Sequence, residues 1–158
     1  MKKIYTLLAL TISFSMNAQM DDNSPNNNSA GTNSVAMGYG TTASGYESTA
    51  MGRETTASGS RSTAMGFANT ASGDASTAMG RETTASDYAS TVIGQYNSSG
   101  SSATSAGSFS TSNTAFVIGN GTLGSLSDAF KVMFNGDTYI SSTPVSYTHL
   151  TLPTILRV

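Results

Sequence analysis

Methionine returns every 14 residues through the middle of this 158-residue chain, at Met37, Met51, Met65 and Met79, and Ile93 continues the series. A glycine follows each one: Gly38, Gly52, Gly66, Gly80 and Gly94. Half a repeat away stand Ala43, Ala57, Ala71 and Ala85. Gly31, Gly45, Gly59 and Gly73 form a third series, whose next place is taken by Asp87. The words STAMG, from Ser48, Ser62 and Ser76, and RETTAS, from Arg53 and Arg81, recur verbatim. A fixed period of this kind marks a chain built from stacked copies of one small unit, each burying its apolar side against its neighbours.

Two glycine-closed halves within 14 residues predict one flattened coil of two strands of about five residues and two tight turns. Glycine takes positive φ without steric cost, so Gly38, Gly45, Gly52, Gly59, Gly66, Gly73, Gly80 and Gly94 are assigned to the turns. A helix fits poorly, because the repeat sets β-branched Thr beside Gly and lacks any sustained three-to-four spacing of apolar residues. Stacked at ~4.8 Å, the five coils over 34–103 make a rod about 24 Å long.

Alternation along a strand then sorts the side chains. Val35 and Met37 share one face, as do Thr49 and Met51, Thr63 and Met65, Thr77 and Met79, and Thr91 and Ile93. Ala36, Ala50, Ala64, Ala78 and Val92 take the other face and are expected to meet Ala43, Ala57, Ala71 and Ala85 in a thin interior filled by methyl groups. The methionines then point outward in one stripe, and burying each is worth roughly 1.5–3 kcal/mol. A soluble monomer rarely leaves such a stripe wet. The alanine interior is a small return against ~1.5 kcal/mol of ordering cost per residue. The chain has no cysteine, so no disulfide supplements that core. Self-association follows, and a parallel homo-oligomer about an axis is the simplest closed form. The outward positions are therefore candidate interface residues.

Asn33-Ser34-Val35-Ala36-Met37-Gly38, followed by Thr41, Ala43 and Gly45, resembles the NSVAIGxxSxAxG repeat of YadA-like trimeric adhesin heads. Later coils keep STAMG with Ala and Gly in the matching places and depart at Asn69, Asp87 and Ser99-Gly100-Ser101. The resemblance covers about half of the chain that remains after its leader. It implies a left-handed parallel β-roll of 14-residue coils, a homotrimer of three rolls around a common axis, and a head that binds host surfaces or matrix proteins. The stalk and C-terminal β-barrel by which that family anchors itself are not found in these 158 residues.

The ends read differently from the middle. Lys2 and Lys3, the apolar stretch over 4–14 and Met16-Asn17-Ala18 form a secretory signal over 1–18. The apolar run is about half of the ~20 residues that span a bilayer. Residues 19–32, rich in Asn, read as a disordered linker, and 33–103 as the repeats. Within 104–143, Ala115-Phe116-Val117-Ile118-Gly119 looks like a worn copy of the repeat word, displaced by a Ser-rich insertion. Asn135-Gly136, between alternating apolar runs, predicts a hairpin with Gly136 in its turn, closing the end of the roll. Residues 145–154 resemble translated sequencing-adapter DNA, so 144–158 is set aside as a non-native tail.

Catalysis finds no support in these residues. His149 is the sole histidine, and with no cysteine there is no metal-ligand cluster and no base for a serine nucleophile. The segment 119–124 satisfies GxGxxG, but a hairpin follows it where a dinucleotide site needs a helix. A net charge of −2 gives no footprint for nucleic acid. No cofactor is expected. The side chains that vary from coil to coil remain: Tyr39, Arg53-Glu54, Phe67, Arg81-Glu82 and Gln95-Tyr96 after each Met-Gly, and Tyr46-Glu47, Arg61, Asp74 and Tyr88 on the opposite turn. Repeated along a rigid rod, they suit multivalent binding at an exported cell surface, outer-membrane or extracellular location. An ice-binding or other monomeric β-solenoid and a phage-like trimeric fibre are the rival readings. Against the first, the Thr41-Thr42, Thr55-Thr56 and Thr83-Thr84 pairs send neighbouring hydroxyls to opposite faces.

Overall fold

The computed structural model describes residues 20–21, 26–100 and 103–141. The signal sequence assigned to 1–18 and the tail assigned to 144–158 lie outside the described residues. Five-residue strands alternate with two-residue strands through the repeats. The long ones are β3 (Val35–Tyr39), β5 (Thr49–Arg53), β7 (Thr63–Phe67), β9 (Thr77–Arg81) and β11 (Thr91–Gln95). The short ones are β4 (Thr42–Ala43), β6 (Thr56–Ala57), β8 (Thr70–Ala71) and β10 (Thr84–Ala85). β1 (Met20–Asp21) and β2 (Asn28–Ser29) precede them, and β12 (Thr114–Asn120), β13 (Asp128–Met133) and β14 (Thr138–Ile140) follow. The described residues contain no helix.

The long strands form one nine-stranded sheet, β1-β3-β5-β7-β9-β11-β12-β13-β14, and the short ones a five-stranded sheet, β10-β8-β6-β4-β2. Every pairing among the repeats is parallel and in register, Met37 beside Met51 and Ala43 beside Ala57. The fold is an all-β parallel solenoid with 14-residue coils. Its second strand is shorter than the five residues expected, because each half coil gives its remaining residues to a corner.

The two glycine series sit differently: Gly45, Gly59 and Gly73 open turns whose carbonyls accept the N–H groups of Ser48, Ser62 and Ser76, and the other series lies in the long strands. Gly38, Gly52, Gly66, Gly80 and Gly94 lie inside the long strands at φ of 94° to 124°, open only to glycine. Gly45, Gly59 and Gly73 do not take positive φ. A Cβ on each would stand 2.0–2.1 Å from the carbonyl oxygen of the next coil, much as it also would on the strand glycines, so here close stacking alone demands glycine. The left-handed corner conformation falls on Asn33, Glu47, Arg61, Ala75 and Ala89 on one side and on Glu54, Ala68, Glu82 and Tyr96 on the other. At the corners their N–H groups bond back to the preceding coil, Arg61 to the Tyr46 carbonyl and Ala68 to the Arg53 carbonyl. That bond carries the ladder around the bend and offsets a conformational cost of about 1–2 kcal/mol per residue.

Inside the roll, Ala36, Ala50, Ala64, Ala78, Val92 and Val117 of the long sheet and Ala43, Ala57, Ala71 and Ala85 of the short sheet are completely buried. Polar side chains line both ends of this slot. Ser34, Ser48 and Ser90 donate to the carbonyls of Gly31, Gly45 and Asp87 at 2.7–2.8 Å. Asn69, a departure from the repeat, accepts the N–H and hydroxyl of Thr83 and donates to the carbonyls of Gly80 and Met65.

The stack begins earlier than the composition of 19–32 suggested. β2 pairs with β4 and β1 with β3. Asn27 accepts the N–H and hydroxyl of Thr41 and donates to the Gly38 carbonyl, the arrangement Asn69 makes higher up. An asparagine-rich stretch that would be disordered alone is held by an existing coil.

At the other end, Asp87 occupies the glycine column. Its buried carboxylate accepts the N–H groups of Thr104, Ser105 and Thr114, closing the stack where no regular coil follows. Gly100, Ser105 and Ala106 of the Ser-rich insertion accept the N–H groups of Ser86, Tyr88 and Asp74, and β12 returns to register with Ile118 beside Ile93 and Gly119 beside Gly94. β13 and β14 continue the sheet antiparallel, joined through a turn with Gly136 at φ 93°.

Candidate assembly and binding surfaces

Because β-strand side chains alternate, the face of the nine-stranded sheet turned away from the alanines carries two columns. One runs Val35, Thr49, Thr63, Thr77, Thr91, the other Met37, Met51, Met65, Met79, Ile93, each residue in register with the next. All are partly exposed, Met37 to 37%. A single roll leaves this stripe in contact with water.

The strand ends form a second surface. Tyr39, Arg53, Phe67 and Arg81 are successive register partners. The Arg53 guanidinium lies 5.8 Å from the Tyr39 ring and 5.5 Å from the Phe67 ring, and Arg81 lies 5.7 Å from Phe67 and 5.6 Å from Tyr96. Ring and cation thus alternate along the edge. Glu54 pairs with Arg53 at 3.1 Å, and the Tyr96 hydroxyl donates to Glu82 at 2.9 Å. That hydrogen bond, with burial, holds the Tyr96 phenol above its usual pKa. These turn residues, read in the sequence as a multivalent surface, are engaged with one another. Each cation–π contact is worth about 0.5–1 kcal/mol at such exposed sites.

The opposite corner carries Tyr46, Glu47, Arg61, Asp74 and Tyr88. Tyr46 is half exposed, and Glu47 beside it pushes its phenol upward. Asp74 accepts the Ser60 N–H at 2.9 Å.

The outward side of the short sheet holds a third pattern, which the sequence did not make obvious. Thr42, Thr56, Thr70 and Thr84 stand in one registered column. Ser44, Ser58 and Ser72 each donate their N–H to the alanine carbonyl of the next coil at 2.9 Å, forming a second column beside it. The adjacent Thr41, Thr55 and Thr83 are buried.

A cleft of about 340 Å³ lies between the corner at Ser98 and Ser99 and the strands β13 and β14. Asp128 in its wall accepts the N–H groups of Ser98 and Ser99 at 2.8 Å, so this carboxylate ties corner to cap. No group of His, Cys, Asp and Glu suited to a metal ion occurs among the described residues.

The family model for the YadA head domain repeat (2 copies) matches five overlapping stretches, residues 25–41, 29–55, 43–69, 57–83 and 71–97. The ends of successive matches advance by the 14 residues of one coil, and the first begins before Asn33, in keeping with the early start of the stack. No curated protein and no solved structure matches the chain.

Proposed function

Residues 25–97 are YadA-like head repeats wound into a parallel β-solenoid, and on that premise we propose that the chain is the head of an exported, non-catalytic adhesin, homotrimeric, that holds host or environmental surfaces through many weak contacts. The observation that carries this is the outward column Met37, Met51, Met65, Met79 and Ile93 beside an interior made almost wholly of alanine. Three rolls turned with these columns toward a common axis give each chain the apolar core it lacks. The corners around Tyr46, Arg61 and Tyr88 then face outward three times over. Contacts too weak to hold singly act together on a rigid scaffold.

The test is the mass of the full chain by light scattering, followed by retention on matrix-coated surfaces of the trimer and of a monomeric variant. A trimer retained far better than its monomer supports the proposal, and a β-rich monomer removes it. The hydroxyl columns Thr42–Thr84 and Ser44–Ser72 favour a second reading, a monomeric solenoid presenting a regular grid to ice. A monomer that slows ice recrystallisation would put that reading first.

A further inference from the structure

The outward face does not stop with the repeats. Register carries the column of Met37 and Ile93 on to Ile118, Phe130 and Ile140, and the column of Val35 and Thr91 on to Phe116, Val132 and Thr138. No position in either column carries a charge. The inner column changes character at the same point. Val117 is its last buried residue, and Lys131 and Tyr139 beyond it stack on each other at 4.4 Å. β13 and β14 therefore have no second sheet beneath them. A single layer with one apolar face is not stable alone and needs a cover.

The apolar side of that layer is the coaxial continuation of the methionine column, so the chains that cover one cover the other. Resting on the trimeric reading above, we infer that β12–β14, which lies beyond the matched residues 25–97, is the clamp of the assembly. Two further copies of this chain pack Phe116, Ile118, Phe130 and Val132 about the axis and hold the alanine-cored rolls together. The three middle coils of the roll each bring one methionine and one threonine to the face, and β11 brings Ile93 and Thr91, whereas β12 and β13 bring two bulky apolar side chains apiece. Phe116 and Phe130 already meet edge to face at 6.2 Å, a packing that favours a single arrangement. Apolar area per strand roughly doubles there, and association energy follows it.

The experiment compares three forms of the full chain by light scattering and circular dichroism: wild type, Ile118→Ser with Phe130→Ser, and Met51→Ser with Met65→Ser. The expected result is a trimeric wild type, a cap variant dissociating at protein concentrations at least tenfold higher with its β signal kept, and a roll variant weakened less than the cap variant. A cap variant as tightly trimeric as wild type overturns the clamp and leaves the trimer standing. A monomeric wild type overturns both. Should the cap variant lose its β signal, the native absence of cysteine allows Ile118→Cys and Leu123→Cys to be treated with a short bismaleimide. Cross-linking between chains at Ile118 alone supports the clamp; none at Ile118, or equal amounts at both, overturns it.

Discussion

Gly45 lies so close to Gly59 of the next coil that a Cβ built on it would stand 2.0 Å from the Gly59 carbonyl oxygen. Its φ is not positive, so the constraint is distance between backbones and not conformation. Gly45→Ala should separate the two coils and cost about 3 kcal/mol, within the range of overpacked cores. Ala75 sits in the equivalent corner two coils on, at φ 57°, and is exposed. Ala75→Gly relieves about 1–2 kcal/mol of left-handed strain and loses part of that to the freer unfolded chain, for a net gain of about 0.5 kcal/mol. Denaturant unfolding followed by circular dichroism should move in opposite directions for the two variants.

Thr55 and Thr83 occupy the same buried column with opposite hydrogen-bond outcomes. The Thr83 hydroxyl donates to Asn69 at 2.9 Å, but beneath Thr55 stands Thr41 instead of an asparagine, and the Thr55 hydroxyl has no partner. Thr55→Val should raise stability by about 1 kcal/mol, since it removes a buried orphan, and Thr83→Val should lower it by about the same amount. Melting temperatures shifting the same way in both would contradict this assignment.

The ring–cation edge supplies a pH test. Tyr96 donates to Glu82, which raises its pKa in the folded chain above the ordinary value of 10.0. Below pH 10 the phenol is protonated whether the chain is folded or not, and the hydrogen bond contributes fully. As pH rises past 10, the unfolded chain releases the proton first and the folded state loses ground. Wild type should therefore lose stability above pH 10 more steeply than Tyr96→Phe in thermal melts run from pH 8 to 11. Parallel curves would show that the bond is not held in solution.

The 14-residue period, the parallel stacking and the turn at Gly136 were legible because each leaves a fixed spacing or a turn dipeptide in the sequence. The roles of the two glycine series were not. Close backbone approach and positive φ both demand glycine, and only coordinates show that the Met-Gly series meets both demands while Gly45, Gly59 and Gly73 meet the first alone. Asn69 and Asp87 looked like wear in the repeat and turned out to be an interior hydrogen-bond hub and the stop of the stack. Their partners, Thr83 and Gly80 for one and Thr114 for the other, lie in neighbouring coils that no local pattern brings together. For the same reason Asn27 escaped notice within a stretch whose composition spoke for disorder.

Four of the five outward positions in the repeats are methionine, where the resembled word has isoleucine, and this makes the proposed interface oxidisable. A thioether buried between chains contributes as an apolar group, but its sulfoxide is polar and disrupts packed interfaces. Met37, Met51, Met65 and Met79 stand on consecutive strands, so oxidation at one loosens the cover over the next. Mild peroxide should shift the full chain from trimer toward monomer, and methionine sulfoxide reductases should reverse the shift. The variant with isoleucine at all four positions should stay assembled under the same peroxide, although Met1, Met16, Met20 and Met133 remain oxidisable in it. A wild-type trimer that persists after mass spectrometry shows all four sulfoxides would place the methionine column outside the interface and direct the search for it to another face of the roll.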